Sequence, residues 1–419
     1  MANQRVVLVI CDGHRRDFVR ADLCPAIVDL GRGGRRFDNH RGVFPSVTRA
    51  SSASIATGCH PARHGLHGNT MGLPSGDGVV VHDVGPPQFR DAMRQALGRT
   101  LKTPTLAERL RERGGVIVFS NVSPGAAYFQ DPDGHGHVYH RAGSFGPGLA
   151  PVEALDIAKD ASGDRAMAER FCREVLHDRR PPLAVLWLSD PDATMHANEL
   201  GGPEHLQAIA SADSCVAQVR DAVDALRAAG EDILLLVGSD HGQETVTGAV
   251  EVDRLLVEAG LKDSLDSTEV AVASQGTSGL IYVAPRAADR RDAIEAYVRA
   301  QDWADGIFVG DGLAAIGMAP EDHLHMAFSM AKTDAANAHG CPGGSLIVTR
   351  AGAGEKLGLG QHGGTGRFEQ APFLIVEGTG FAPGSVCAEP TCIVDIAPTV
   401  LAHLGVSADG MDGRALQGR

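Results

Sequence analysis

Seven short apolar runs punctuate the chain: Val6–Ile10, Val116–Phe119, Leu183–Leu188, Ile233–Val237, Leu280–Val283, Leu346–Val348 and Phe373–Val376. They are continuous rather than alternating, with Gly, Ser or Asp at their borders. That pattern reads as strands covered on both faces, as in a parallel sheet. Amphipathic helical stretches lie between them. Thr105–Arg113 places Leu106 and Leu110 four apart, and Ala208–Ala229 repeats Ala212, Val216, Val219 and Val223 before stopping at Gly230. The alternation predicts an α/β fold, an open, mostly parallel sheet with helices on both faces.

Two stretches depart from the alternation. Asn121–Pro151 is rich in Gly, Pro and His and reads as a long loop or small insertion. Asp263–Arg350 carries its own strand–helix–strand pattern (Leu280–Val283, Asp289–Gln301, Gly306–Val309). The expected organisation is a core of 1–262 and 351–419 with an inserted cap at 263–350.

Composition narrows the function classes. With 38 Lys+Arg against 52 Asp+Glu the net charge is −14, which argues against coating a nucleic-acid polymer and against a polybasic membrane anchor. No apolar run approaches the ~18 residues of a membrane span, and Val6–Ile10 is too short for a signal-peptide core. The eight cysteines form no CxxC pair, so free thiols in a reducing compartment are expected, and a cytoplasmic location with them. Monomer and homo-oligomer both stay open.

Open α/β sheets place ligands at the carboxyl ends of their strands. After Val6–Ile10 comes Cys11-Asp12-Gly13; after Leu183–Leu188 come Asp190, Asp192 and His196; after Ile233–Val237 comes Asp240-His241-Gly242; ahead of Phe373 stands Gln361-His362-Gly363-Gly364. Singly, such an Asp is more often a turn or helix cap, and such a His a structural residue. Together at one sheet edge they form a cluster whose desolvation is costly without a cation. Asp and neutral imidazole suit zinc, with manganese or iron as alternatives. In Phe44–Gly58, Thr48 reads as the N-cap of a small-residue helix, and its hydroxyl would look across a helix N-terminus that favours an anion. Other His groups, His135-Gly136-His137 with His140 beside Asp131 and Asp133 among them, read as exposed or packing residues.

Phe44–Gly58 followed by Pro61-Ala62-Arg63-His64-Gly65-Leu66-His67-Gly68-Asn69 resembles the signature of the alkaline phosphatase superfamily, in its branch of nucleotide pyrophosphatases/phosphodiesterases and phosphonoacetate hydrolases. Thr48 and Asn69 have the separation of that branch's nucleophile and phosphoryl-binding Asn. Asp192–His196, Asp240–Gly242, His362–Gly364 and Glu369 follow its later motifs in order. The resemblance implies two metal ions, usually zinc (Zn2+), with manganese (Mn2+) as the alternative. One would take Asp12, Thr48, Asp240 and His241; the other Asp192, His196 and His362. Only Asp192 keeps the spacing to His196, which leaves Asp190 as a turn residue. It also implies attack by Thr48 on a small phosphorus-containing substrate (a phosphodiester, pyrophosphate or phosphonate ester), with a phospho-threonine intermediate. Asn69 and the backbone N–H of Arg49 would hold the phosphoryl oxygens.

Where the family has Phe or Asn followed by Pro-Asn, this chain has Arg49-Ala50-Ser51. Arg49 is therefore either a solvated charge or a second anion clamp. Phosphonoacetate hydrolase, cleaving a carbon–phosphorus bond, is the alternative activity, weakened by the absence of Lys from Ser120–Tyr128. A metal-free scaffold would require a missing ligand, and all seven candidates are present.

Overall fold

The computed structural model describes residues 4–350, 354 and 356–418. Its centre is a ten-stranded sheet, in the order Ser385–Cys387, Arg35–Phe37, Leu374–Glu377, Asp232–Gly238, Gln4–Cys11, Leu183–Leu188, Val116–Ser120, His137–Tyr139, Ser144–Gly146 and Ala150–Val152. Gln4–Cys11 pairs in parallel with both Asp232–Gly238 and Leu183–Leu188, and the latter in parallel with Val116–Ser120. These strands are buried almost throughout because both faces are covered. Val6, Leu8 and Ile10 enter one apolar cluster, and Val7, Val9 and Cys11 the other. The long helix Pro203–Ala228 covers the second face through Ile209, Val216, Val219 and Val223. Ile393–His403 lies over the first. The fold is thus mixed α/β with a large, mostly parallel sheet flanked by helices.

Continuous apolar runs overstate the parallel sheet. Leu374–Glu377 runs antiparallel to Asp232–Gly238. Ser278–Val283 lies in a separate antiparallel sheet with Val270–Ser274, Leu324–Met330 and Ala304–Val309. Ser278–Val283 is as fully buried as the main-sheet strands because helix Arg291–Arg299 and the loops near Thr48 cover this sheet, and burial, not strand direction, produces the run. A further sheet joins Lys332–Ala336 and Pro342–Val348 to Glu244–Val250 and Gly360–Gln361, which lie outside 263–350. The expected return to the core at 351 lies outside the described residues.

Asn121–Pro151 is not a plain loop. Its helix Pro124–Tyr128, capped by Ser123, and its short strands extend the main sheet at one edge. Asp131 there accepts backbone N–H groups of His135 and Gly136 rather than gathering the His side chains. All eight cysteines are free. Among the described residues no helix is long and apolar enough to cross a membrane.

Candidate metal and phosphoryl site

Strand register brings the acids together. Cys11 lies opposite Leu188 and Ile10 opposite Gly238, so three adjacent strands end level. Asp12, Asp192 and Asp240 therefore leave the sheet side by side. Gly13, at φ 66°, turns the chain after Asp12. A Cβ there would meet Gln243 and Asp192 at about 3 Å, and the Gly13 N–H donates to Asp240 Oδ1 at 3.1 Å. Asp192 opens a one-turn helix, Asp192–Met195, whose pitch returns His196 to the same face: Nε2 lies 3.3 Å from Asp192 Oδ2. Pairing of Glu244 with Gln361 delivers His362 beside His241, the rings stacked at 3.8 Å and 16°.

Two groups of ligand atoms result. Asp12, Asp240 and His241 lie within 4.8 Å of one another, as do Asp192, His241 and His362. His241 belongs to both, so the two sets adjoin. His196 Nε2 stands 3.4 Å from His362 Nε2 at the open side of the second set. Thr48 Oγ1 lies 3.2 Å from His241 Nε2.

Partners behind the site fix which atoms face in. His241 Nδ1 meets the Gly242 carbonyl at 3.0 Å and His362 Nδ1 the Ser46 carbonyl at 2.8 Å, leaving both Nε2 atoms as ligands. Trp187 Nε1 donates to Asp12 Oδ2 at 3.0 Å, and Gln243 Nε2 to Asp192 Oδ1 at 2.5 Å. The remaining oxygens, Asp12 Oδ1 and Asp240 Oδ2, are buried without a hydrogen-bond partner among the described residues. Burial, reinforced by neighbouring carboxylates, pushes the Asp12 carboxyl well up and that of Asp240 to about 8. Burial likewise holds the His241 imidazole neutral. Orphaned carboxylate oxygens beside neutral imidazoles form a donor set that fits divalent cations.

Thr48 is the first residue of helix Thr48–Thr57 rather than its N-cap; Val47 holds that place, and no side chain caps the end. The hydroxyl is thereby free to face His241. The helix is buried along its length because small residues let it pack closely, with Ser52 Oγ donating to the Ala126 carbonyl. Asn69 Oδ1 accepts the Arg49 N–H at 3.2 Å, so that N–H is engaged and the Asn69 Nδ2 hydrogens remain. The Arg49 guanidinium is neither solvated nor a free clamp. It holds the Asn69 carbonyl at 2.6 Å, Asp83 at 2.8 Å and Ser123 Oγ at 3.1 Å. Asp190 Oδ1 accepts from the N–H and hydroxyl of Thr194, a capping role. A cavity of about 440 Å³ adjoins the site, lined by Asn69, His196 and His362, by apolar Val81, Val272 and Val348, and by Arg350 and Lys356.

Trp187, Gln243 and Ser46 escape a reading based on ligand residue types. Trp187 carried the one usable signal, a polar atom in a strand otherwise wholly apolar, since a buried indole N–H needs an acceptor. Glu369, marked only by its motif position, anchors the turn after His362. It accepts N–H groups of Gly364 and Gly366 at 2.8 Å and the Ser46 hydroxyl at 3.3 Å.

Residues 6–330 match the family model of type I phosphodiesterase/nucleotide pyrophosphatase. No curated protein matches the sequence. Among solved structures, murine ectonucleotide pyrophosphatase/phosphodiesterase 5, as an inactive variant in complex with AMP, superposes with TM-score 0.71 at 16% identity, covering 98% of this chain and 97% of that one. Another structure of the same murine protein gives TM-score 0.70 at the same identity and coverage.

Proposed function

The chain belongs to the type I phosphodiesterase/nucleotide pyrophosphatase family, phosphoester-hydrolysing enzymes of the alkaline phosphatase superfamily, and from that premise we propose that it cleaves its substrate through a phospho-threonine on Thr48. The supporting observation is the Thr48 hydroxyl against two adjoining ligand sets whose Asp12 and Asp240 each keep an uncommitted buried oxygen. Asp12, Asp240, His241 and Thr48 would hold one cation and Asp192, His196 and His362 the other. Zinc is the favoured identity for this Asp/His set, with manganese as the alternative. Two such cations supply positive charge that favours ionisation of the Thr48 hydroxyl and offsets charge developing on the phosphoryl group.

The chain's own residues divide the remaining work. The Thr48 oxygen forms a bond to phosphorus as the bond from phosphorus to the departing oxygen breaks, and the departing group takes a proton from solvent. Asn69, oriented by Arg49 and by its own N–H bond to Gln275 at 2.7 Å, offers its amide hydrogens to a phosphoryl oxygen. Water then attacks phosphorus, the bond to Thr48 breaks, and the Thr48 oxygen regains a proton. The apolar wall of the cavity suits an organic leaving group. Arg350 with Lys356, against the one acid among the described lining residues, Asp253, which pairs with Lys262 at 3.0 Å, favours a substrate with further negative charge, a pyrophosphate ahead of a simple diester.

Thr48→Ala tests this reading. Hydrolysis of bis(p-nitrophenyl) phosphate should fall by about 10³-fold or more, while metal content by plasma mass spectrometry stays near two per chain, since six side-chain ligands survive. A near-wild-type rate would overturn the covalent mechanism.

A further inference from the structure

A second cavity, of about 700 Å³, shares no lining residue with the one beside His196 and His362. Three arginines line it: Arg16 from the short helix after the first strand, Arg41 from the strand His40–Arg41, and Arg367 from the turn after His362. No Asp or Glu lies among its lining residues. The nearest acids, Asp17 and Asp38, act on the Arg16 charge, but each is hydrogen-bonded to another arginine. Asp17 accepts two bonds from Arg15, at 2.9 and 2.6 Å, and Asp38 two from Arg36, at 2.8 and 3.1 Å. Among the described residues the Arg16 side chain hydrogen-bonds the His40 carbonyl alone, at 3.1 Å. Arg41 and Arg367 enter no ion pair among the described residues. His60 also lines the cavity, and its Nδ1 is buried without a hydrogen-bond partner among the described residues.

In a chain of net charge −14, three arginines around one cavity with no acid in its lining make a local cationic patch that suits an anion. Burial lowers the Arg16 pKa, and the like charges of Arg41 and Arg367 add to that while Asp38 and Asp17 oppose it. Guanidinium forks match phosphate oxygens in pairs, and each phosphate group brings about −1.5 to −2 at neutral pH. One phosphate would leave a cation uncompensated; two balance all three. We propose that this cavity binds a small polyanion carrying two or more phosphate groups, held by Arg16, Arg41 and Arg367. The site is separate from the hydrolytic one and does not depend on the reading of Thr48.

Methylenediphosphonate, whose P–C–P bridge is not an ester, serves as the probe. The enzyme as isolated is treated with phenylglyoxal, and labelling of individual arginines is followed by peptide mass spectrometry. Labelling of Arg41 and Arg367 should slow about tenfold and saturably with the probe, while exposed Arg111 labels unchanged. Arg367→Gln, an exposed position that leaves the fold intact, should raise the probe concentration protecting Arg41 by about fivefold or more. Equal labelling with and without probe, protection reproduced by EDTA alone, or unchanged protection in Arg367→Gln would overturn the proposal.

Discussion

Replacing Glu369 by Gln tests whether the turn carrying His362 is held by a buried charge. Glu369 is fully buried, yet its carboxyl stays below the usual carboxylate range: burial alone would raise it, and the Lys332 ammonium with the hydrogen bonds it accepts outweighs that. Its Oε2 accepts from Gly364 N at 2.8 Å, Thr277 Oγ1 at 2.5 Å and Ser46 Oγ at 3.3 Å. Its Oε1 accepts from Gly366 N and lies 2.9 Å from Lys332 Nζ. Every partner donates, so a Gln amide must set its own NH2 against a backbone N–H in either orientation. Losing one member of a buried pair costs about 3–5 kcal/mol. Lys332 is 15% exposed and can draw on solvent, which favours the lower end, about 3 kcal/mol. With unfolding entropy of about 2.1 cal/mol/K per residue over 419 residues, or roughly 0.9 kcal/mol/K, Tm should fall by about 3 °C. Activity should fall by about tenfold, because the turn Gly364–Gly366 that follows His362 loses its charged acceptor. Scanning calorimetry of Glu369→Gln beside Glu369→Gln/Lys332→Met reads the effect, and the double variant should recover part of the loss by removing the orphaned ammonium. A single variant melting within 1 °C of wild type would refute the reasoning.

Three further outcomes follow from the same geometry. Trp187→Phe removes the bond that steadies Asp12 and should weaken metal retention about tenfold in competition with a chelator; unchanged retention would show that Asp12 does not depend on it. Asp190→Asn keeps the cap on Thr194 and should retain both metals, whereas Asp192→Asn should lose about one per chain; metal loss in Asp190→Asn alone would reverse the assignment. The Glu244 carboxyl is pushed up to about 7, by burial first and then by the charge of Glu369. A raised folded pKa favours the fold below pH ~4.5, and that contribution is lost as pH rises through about 7. Glu244→Gln, which still accepts the Phe368 N–H, should therefore gain up to about 3 kcal/mol over wild type at pH 8 and little at pH 4.5. Denaturant midpoints at the two pH values measure this, and an equal change at both would contradict it.

The central sheet was legible because its strands are buried on both faces and so read as uninterrupted apolar runs. The same signal misled at Leu280–Val283 and Phe373–Val376, where burial is as complete but the strands run antiparallel. Asp12, Asp192 and Asp240 were legible because each follows a strand, and level strand ends bring them to one place; His362 was marked instead by its place ahead of Phe373. What spacing cannot carry is the web behind them. The bond from Trp187 to Asp12 spans 175 positions and that from Ser46 to Glu369 spans 323; both depend on register and loop path. Arg49 shows the limit most plainly, since its role turns on Asp83 and Ser123, neither of which the local sequence marks. The edge strands within Asn121–Pro151 were hidden for another reason: at three residues each they are too short to show a period.

The most direct test is acid quenching during steady turnover of a phosphodiester, followed by phosphopeptide mapping. The account predicts a phosphoryl group on Thr48 in the peptide spanning Phe44–Gly58, absent from Thr48→Ala and from enzyme stripped of metal. A quenched enzyme that turns over normally yet carries phosphate on no residue, or on a residue other than Thr48, would contradict it.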